Sequence, residues 1–237
     1  MAKRIIKKKE IPEPVPSFQE RFTKWVKKNL KAIGIVSGII LIITAIILIF
    51  LIHSKNLERR ASYKLSIALN LYNQAVYSQD IKGEKKKLKE VLKDLEDIEK
   101  RYKRTDHGKK ALLYIGHIYY HLKDYDNAIK FYRRFLKKTK KDDLLKIMAL
   151  NGLGYANEEK ADFKEAIKWY SKILNINNRF FQPYAHLNMA RCFEKLKNIP
   201  EAIKNYREFL KENPDSERSL QVKYKVKVLE EMSVSKK

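Results

Sequence analysis

Few residues in this sequence have types and spacings that could do chemistry. His117-Ile-Tyr-Tyr-His121 puts two imidazoles at i and i+4 on one helix face, the spacing of a metal-binding helix. No Glu follows the first His, so the hydrolytic zinc pattern is incomplete, and a third nitrogen would have to come from His107 or His186. Packing and hydrogen bonding among aromatic neighbours account for the pair without a metal. Asp142-Asp143 and Glu158-Glu159 fall beside helix ends or on polar faces, where helix-start and surface charge explain them better than paired acid–base work. Cys192 is the one cysteine, so it cannot close an intrachain disulfide, and it reads as a small buried hydrophobe. There is no Gly-rich phosphate loop and no G-x-S-x-G. No catalytic residue, metal or cofactor is expected, and the protein reads as a binder and not an enzyme.

Elements that carry residues without chemistry must earn their place by presenting surfaces. The 237 residues include only seven Gly and six Pro, three of them at Pro12, Pro14 and Pro16, so most of the chain should be helix. Ala32 to Ile52 is a run of 21 residues without a charge, long enough for a helix to cross a bilayer and longer than the apolar region of a cleaved signal. Ten Lys or Arg and three acids precede it, which predicts a cytoplasmic N-terminus, although Lys55, Arg59, Arg60 and Lys64 make the following flank basic too. Residues 1–31 form a basic segment with an extended Pro-rich spacer at Ile11–Pro16, and Trp25 suits the interface about one turn before the span. Within residues 32–52, Gly34, Ser37 and Gly38 offer a small-residue face for another transmembrane helix.

Residues 53–237 repeat themselves. Ala128-Ile-Lys-Phe-Tyr132, Ala166-Ile-Lys-Trp-Tyr170 and Ala202-Ile-Lys-Asn-Tyr206 recur with periods of 38 and 36 residues, and twelve residues before each Ala stands Gly116, Gly154 or Ala190. Two small residues at that separation let two helices of a hairpin cross closely, with Tyr132, Tyr170 and Tyr206 filling the space around the crossing. Hairpins of this kind bury an apolar face only by stacking. The pattern resembles the tetratricopeptide repeat over Lys109–Pro214. The resemblance implies an all-α fold: one N-terminal transmembrane helix, then an α-solenoid of about four helix hairpins with a C-terminal capping helix. The implied divisions are residues 53–104, a long helix and degenerate first repeat; 105–214, three repeats; and 215–237, the capping helix and a basic tail. Asn157 stands where a large aromatic is usual, which predicts looser packing in the middle repeat.

In such stacks the first helix of each hairpin lines the concave face. The register set by Gly116, Gly154 and Ala190 then predicts an exposed protein-binding groove of Leu113, His117, Tyr120, His121, Asn151, Tyr155, Glu158, Tyr184, Leu187, Asn188 and Arg191. Leu113 and His117 occupy places where a carboxylate-clamping tetratricopeptide domain needs Lys and Asn, so the expected ligand is an extended or helical apolar segment bound by tyrosines.

Residues 53–237 carry 42 basic and 25 acidic residues. No nucleic-acid motif accompanies that excess, and anionic lipid nearby is the better sink for it. A basic segment with Phe22-Thr-Lys-Trp25-Val-Lys-Lys, one span and a long helix entering repeat hairpins is similar to the YfgM-like family of ancillary translocon subunits. That similarity implies a bacterial inner-membrane protein whose periplasmic repeats bind envelope or secreted proteins, translocon subunits or a membrane-anchored chaperone. The alternatives are a structural scaffold in outer-membrane or cell-wall assembly, and a cytoplasmic-facing anion or nucleic-acid binder.

Overall fold

The computed structural model describes residues 17–77, 81–139, 143–176, 178–215 and 217–234. The basic tail and Pro-rich spacer of residues 1–16, and Asp142 of the first acidic pair, lie outside the described residues. The described residues are helical throughout, as the scarcity of Gly and Pro requires: α1 (Phe18–Val76), α2 (Ile81–Arg101), α3 (Asp106–His121), α4 (Tyr125–Lys138), α5 (Asp143–Glu159), α6 (Phe163–Leu174), α7 (Gln182–Lys195), α8 (Ile199–Glu212) and α9 (Glu217–Val234). Two compact units divide within α1, residues 1–54 and 55–237.

In the first unit, α1 departs from helical geometry at Asn29 (φ −108°, ψ 15°), whose Nδ2 donates to the Trp25 carbonyl at 2.8 Å. The helix from Leu30 onward is long and apolar enough to cross a membrane: its most apolar stretch has a mean hydropathy of 3.3, and none of it is buried within the chain. Ile39, Leu41, Ile46, Leu48 and Phe50 are all exposed, a distribution that water does not favour and hydrocarbon does. A Cβ placed on Gly34 or Gly38 meets nothing within 4 Å, and Ser37 Oγ donates to its own helix at the Ile33 carbonyl (2.8 Å). The expected small-residue face is therefore unfilled by the described chain.

The second unit stacks helices in chain order. Leu65, Ala68 and Ala75 of α1 join Leu88, Val91, Leu95 and Ile98 of α2 in a core that continues through α3 and α4 to α5. Further clusters run through α5–α7 and α7–α9. Each hairpin turn uses the same local chemistry. Lys123, Ala161 and Lys197, five residues before the repeated Ala, take left-handed φ of 63°, 59° and 58°. Asp124, Asp162 and Asn198 then cap the next helix, each side chain accepting from the backbone N–H three residues on.

The crossings are as tight as the small residues require. A Cβ on Gly116 would lie 2.7 Å from the Tyr132 ring, and one on Gly154 would lie 2.2 Å from the Tyr170 ring. Gly152, which sequence reasoning passed over, plays the same part between hairpins: its Cβ would come within 2.4 Å of Tyr132 of the preceding repeat. Tyr132, Tyr170 and Tyr206 are almost fully enclosed. The middle repeat encloses the asparagine that stands in place of an aromatic. Asn157 is buried with its Nδ2 donating to the Leu153 carbonyl at 2.6 Å, while Ala166, Tyr170 and Ile173 beside it are closed to solvent. The asparagine satisfies its amide within its own helix, and Tyr170 fills the crossing as Tyr132 and Tyr206 do in the other hairpins. At the far end, α9 buries Val222, Val226 and Leu229 against α7 and α8.

Candidate functional site

The first helices α3, α5 and α7 carry all eleven expected groove residues, but they do not form one exposed strip. Leu113 is completely enclosed, and Leu187 and Asn188 are buried, which corrects the expectation that these three are open. Each first helix packs against the second helices on both sides of it, so its solvent-facing arc is narrower than one hairpin alone would leave. The remaining residues fall into two groups.

The first group lies on α3. His117 is set into an aromatic nest, its ring edge-on to Tyr114 (5.8 Å) and Tyr132 (5.3 Å), with Nδ1 2.8 Å from the Tyr132 hydroxyl. Burial, with the neighbouring His121 adding to it, lowers the His117 pKa to about 4, so the ring is neutral at physiological pH. Its Nε2 is buried without a hydrogen-bond partner, as is Asn151 Oδ1 on α5. His121 is exposed one turn on, packed edge-on against Tyr72 (6.0 Å) and Tyr120 (6.3 Å), while Tyr120 also touches Tyr125 (5.7 Å). The two histidines of the H-x3-H pair thus face different surroundings, one half-buried among aromatic rings and one open. No group of three His, Cys, Asp or Glu that could hold a metal occurs among the described residues.

The second group joins α5, α7 and α9. Glu158 accepts from the Tyr170 hydroxyl (2.5 Å) and from Arg191 Nη2 with both oxygens (2.9 and 3.2 Å). Arg191 Nη1 donates to Asn188 Oδ1 (2.7 Å), and Asn188 Nδ2 donates to the Tyr155 hydroxyl (3.3 Å). Burial opposes the Arg191 charge, but Glu158 more than offsets it and holds the guanidinium pKa above its ordinary value. Tyr170 is pushed up by burial and by the same carboxylate, and Cys192 by burial to about 12, so the thiol is inert. Sequence reasoning named Tyr155, Glu158, Asn188 and Arg191 but had no signal that they form one network.

Above this network opens a cavity of about 440 Å³, lined by Tyr155, Tyr184, Leu187, Asn188 and Arg191 from the expected set. Its other wall is Arg218, Gln221, Val222 and Lys225 of the capping helix, with Tyr206 below. Those α9 residues were missed, although their i, i+3, i+4, i+7 spacing marks one helix face. Two tyrosine rings beside a hydrogen-bonded guanidinium and amide, rimmed by two further cations, can contact an apolar or aromatic side chain and orient the polar groups next to it.

Residues 110–179 and 184–216 each match a tetratricopeptide repeat family model. No curated protein sequence matches the chain. Among solved structures, the apo form of RapI is similar at a TM-score of 0.57 and 13% identity, over 71% of this chain and 64% of that one, so the match spans just under two thirds of RapI. MamA 41-end from Desulfovibrio magneticus RS-1 is similar at a TM-score of 0.51 and 14% identity, over 71% of this chain and 96% of that one. At these identities the likeness is one of fold. The repeats make this a tetratricopeptide-type α-solenoid, an architecture of protein-interaction modules.

Proposed function

We propose that this chain is a membrane-anchored scaffold that binds other proteins and performs no catalysis. The observation that carries the reading is the cavity between α5, α7 and α9, lined by exposed Tyr155 and half-buried Tyr184 beside the Glu158–Arg191–Asn188 network. The ligand is an extended or helical segment that inserts an apolar side chain between the tyrosines. The exposed apolar part of α1 supplies the anchor, and Gly34, Ser37 and Gly38 are the face that meets a partner's transmembrane helix. The ten basic residues before the span support a cytoplasmic N-terminus, with the repeats in the periplasm of a bacterial inner membrane. On the similarity to the YfgM-like family, the partners are translocon subunits, a membrane-anchored chaperone or the secreted and envelope proteins they handle.

A photoreactive residue at Gln221 tests the groove. Adducts with translocon subunits, with such a chaperone or with envelope proteins are expected from Gln221, and Tyr155→Ala with Tyr184→Ala should diminish them. Adducts that survive both substitutions place the binding surface elsewhere. Protease added to spheroplasts should digest residues 55–237, and their protection would overturn the periplasmic placement.

A further inference from the structure

The repeated Ala fixes the register of α4, α6 and α8, and the helical wheel then orders what each presents. The Ala and the residues four and seven beyond it are buried in all three helices: Tyr132 and Phe135, Tyr170 and Ile173, Tyr206 and Phe209. Residues two, five and nine beyond the Ala lie at roughly 140–200° from it around the axis, on the opposite side. Those nine positions hold Lys130, Arg133, Lys137; Lys168, Ser171, Asn175; and Lys204, Arg207, Lys211. Seven are cations and none is an acid. The face is a ladder built by the repeat itself.

The acids are few: Asp126, two residues before the first Ala, shares the face but pairs with Lys160 beyond α5, and the others sit at its margins. Glu165 serves both Arg133 (3.4 Å) and Lys168 (2.9 Å), Glu201 lies 3.5 Å from Lys204, and Glu230 of α9 lies 2.7 Å from Arg207. Lys130, Lys137 and Lys211 have no acidic partner among the described residues. The cations of these pairs are solvent-exposed, although Glu165 is half-buried and Arg133 also lies over the Trp169 ring (5.2 Å), and exposed pairs are weak enough for a denser anion to compete for their lysines and arginines.

We infer that this outer face of α4, α6 and α8 docks on the anionic headgroup surface of a bilayer. A lipid surface fits better than a nucleic acid because the cations form a broad array across three helices, with no exposed aromatic among the nine positions on which a base could stack. The inference rests on the membrane anchoring proposed above, which keeps a bilayer within reach. It goes beyond the groove, because it gives the second helices a role and leaves the first helices free for a protein ligand.

The test measures how fast single lysines acetylate in the full chain, held in nanodiscs of phosphatidylcholine alone or with about 30 mol % phosphatidylglycerol. Each cation near such a surface is worth about fivefold in partitioning, so Lys130, Lys168, Lys204 and Lys211 should react several-fold more slowly in the anionic discs. Concentrated salt should abolish the difference, and Lys123 and Lys197 in the hairpin turns should react equally in both discs. In the Lys130→Glu, Lys168→Glu, Lys204→Glu variant, with its helical circular dichroism retained, the protection of Lys211 should vanish. Equal rates in both discs overturn the inference while leaving the anchoring intact. A chain that enters neither disc overturns the anchoring. Protection by added single-stranded RNA in neutral discs, without protection by phosphatidylglycerol, assigns the face to nucleic acid instead.

Discussion

Breaking the Glu158–Arg191 pair should show how much of the groove's rigidity is electrostatic. Only 18% of the Glu158 side chain is exposed, against 39% for Arg191, so the carboxylate is the more desolvated partner. Removing one member of a fully buried pair costs about 3–5 kcal/mol. Arg191 can rehydrate on its open side, and the Arg191→Ala variant leaves Glu158 the Tyr170 hydroxyl, which brings the expected cost of either Ala substitution to about 2 kcal/mol. For a domain of this size that is a fall in Tm of about 4–8 °C. Both single variants lose the same contact, so the double variant should cost about 3 kcal/mol, a coupling of about 1 kcal/mol. Thermal and urea unfolding of the full chain in detergent, followed by far-ultraviolet circular dichroism, gives the cycle. Additivity to within about 0.4 kcal/mol would refute the reasoning and reduce the pair to a surface contact.

Glu58 of α1 accepts from the backbone N–H groups of Asp106 (2.9 Å) and His107 (3.0 Å) and contacts the His107 ring, capping α3 from 48 residues away. Burial works against its charge, but these donors hold its pKa below the ordinary value. A depressed carboxylate stabilises above its unfolded pKa, about 4.3, and that contribution is lost as pH falls through the folded value. Glu58→Gln should therefore cost about 1 kcal/mol at neutral pH and progressively less below pH about 4; a Tm difference that stays constant down to pH about 3 counts against this. Ala161→Gly, at an exposed left-handed position, should stabilise by about 0.5–1 kcal/mol because glycine has no Cβ to strain there. A lower Tm for that variant would show that the turn's conformation carries no penalty.

What the sequence made legible is local. Each small residue, Gly116 or Gly154, and the alanine twelve and tyrosine sixteen residues later belong to one hairpin, so a fixed spacing revealed them. Gly152 escaped because its partner, Tyr132, belongs to the previous repeat. The burial of Asn188 and Leu187 escaped for a similar reason, since it depends on helices before and after α7 as well as on its own register. Arg218, Gln221 and Lys225 are polar residues of the capping helix with no mark of a site in the sequence, and only the fold brings them opposite Tyr155 and Tyr184. The left-handed turns at Lys123, Ala161 and Lys197 had no glycine to announce them.

Tyr132, held between Gly116 of its own hairpin and Gly152 of the next, determines how far the array can be edited. In the third hairpin the position matching Gly152 is Asn188, whose side chain is already engaged with Tyr155 and Arg191. The tyrosine before that asparagine is Tyr170, whose hydroxyl donates to Glu158, whereas the Tyr132 hydroxyl is paired with His117, so excising the middle hairpin would bring to the junction a ring with different polar partners. The hairpins share a sequence pattern yet are not interchangeable parts. Shuffling, duplication or deletion of single units therefore has to re-match the side chains that meet at each junction.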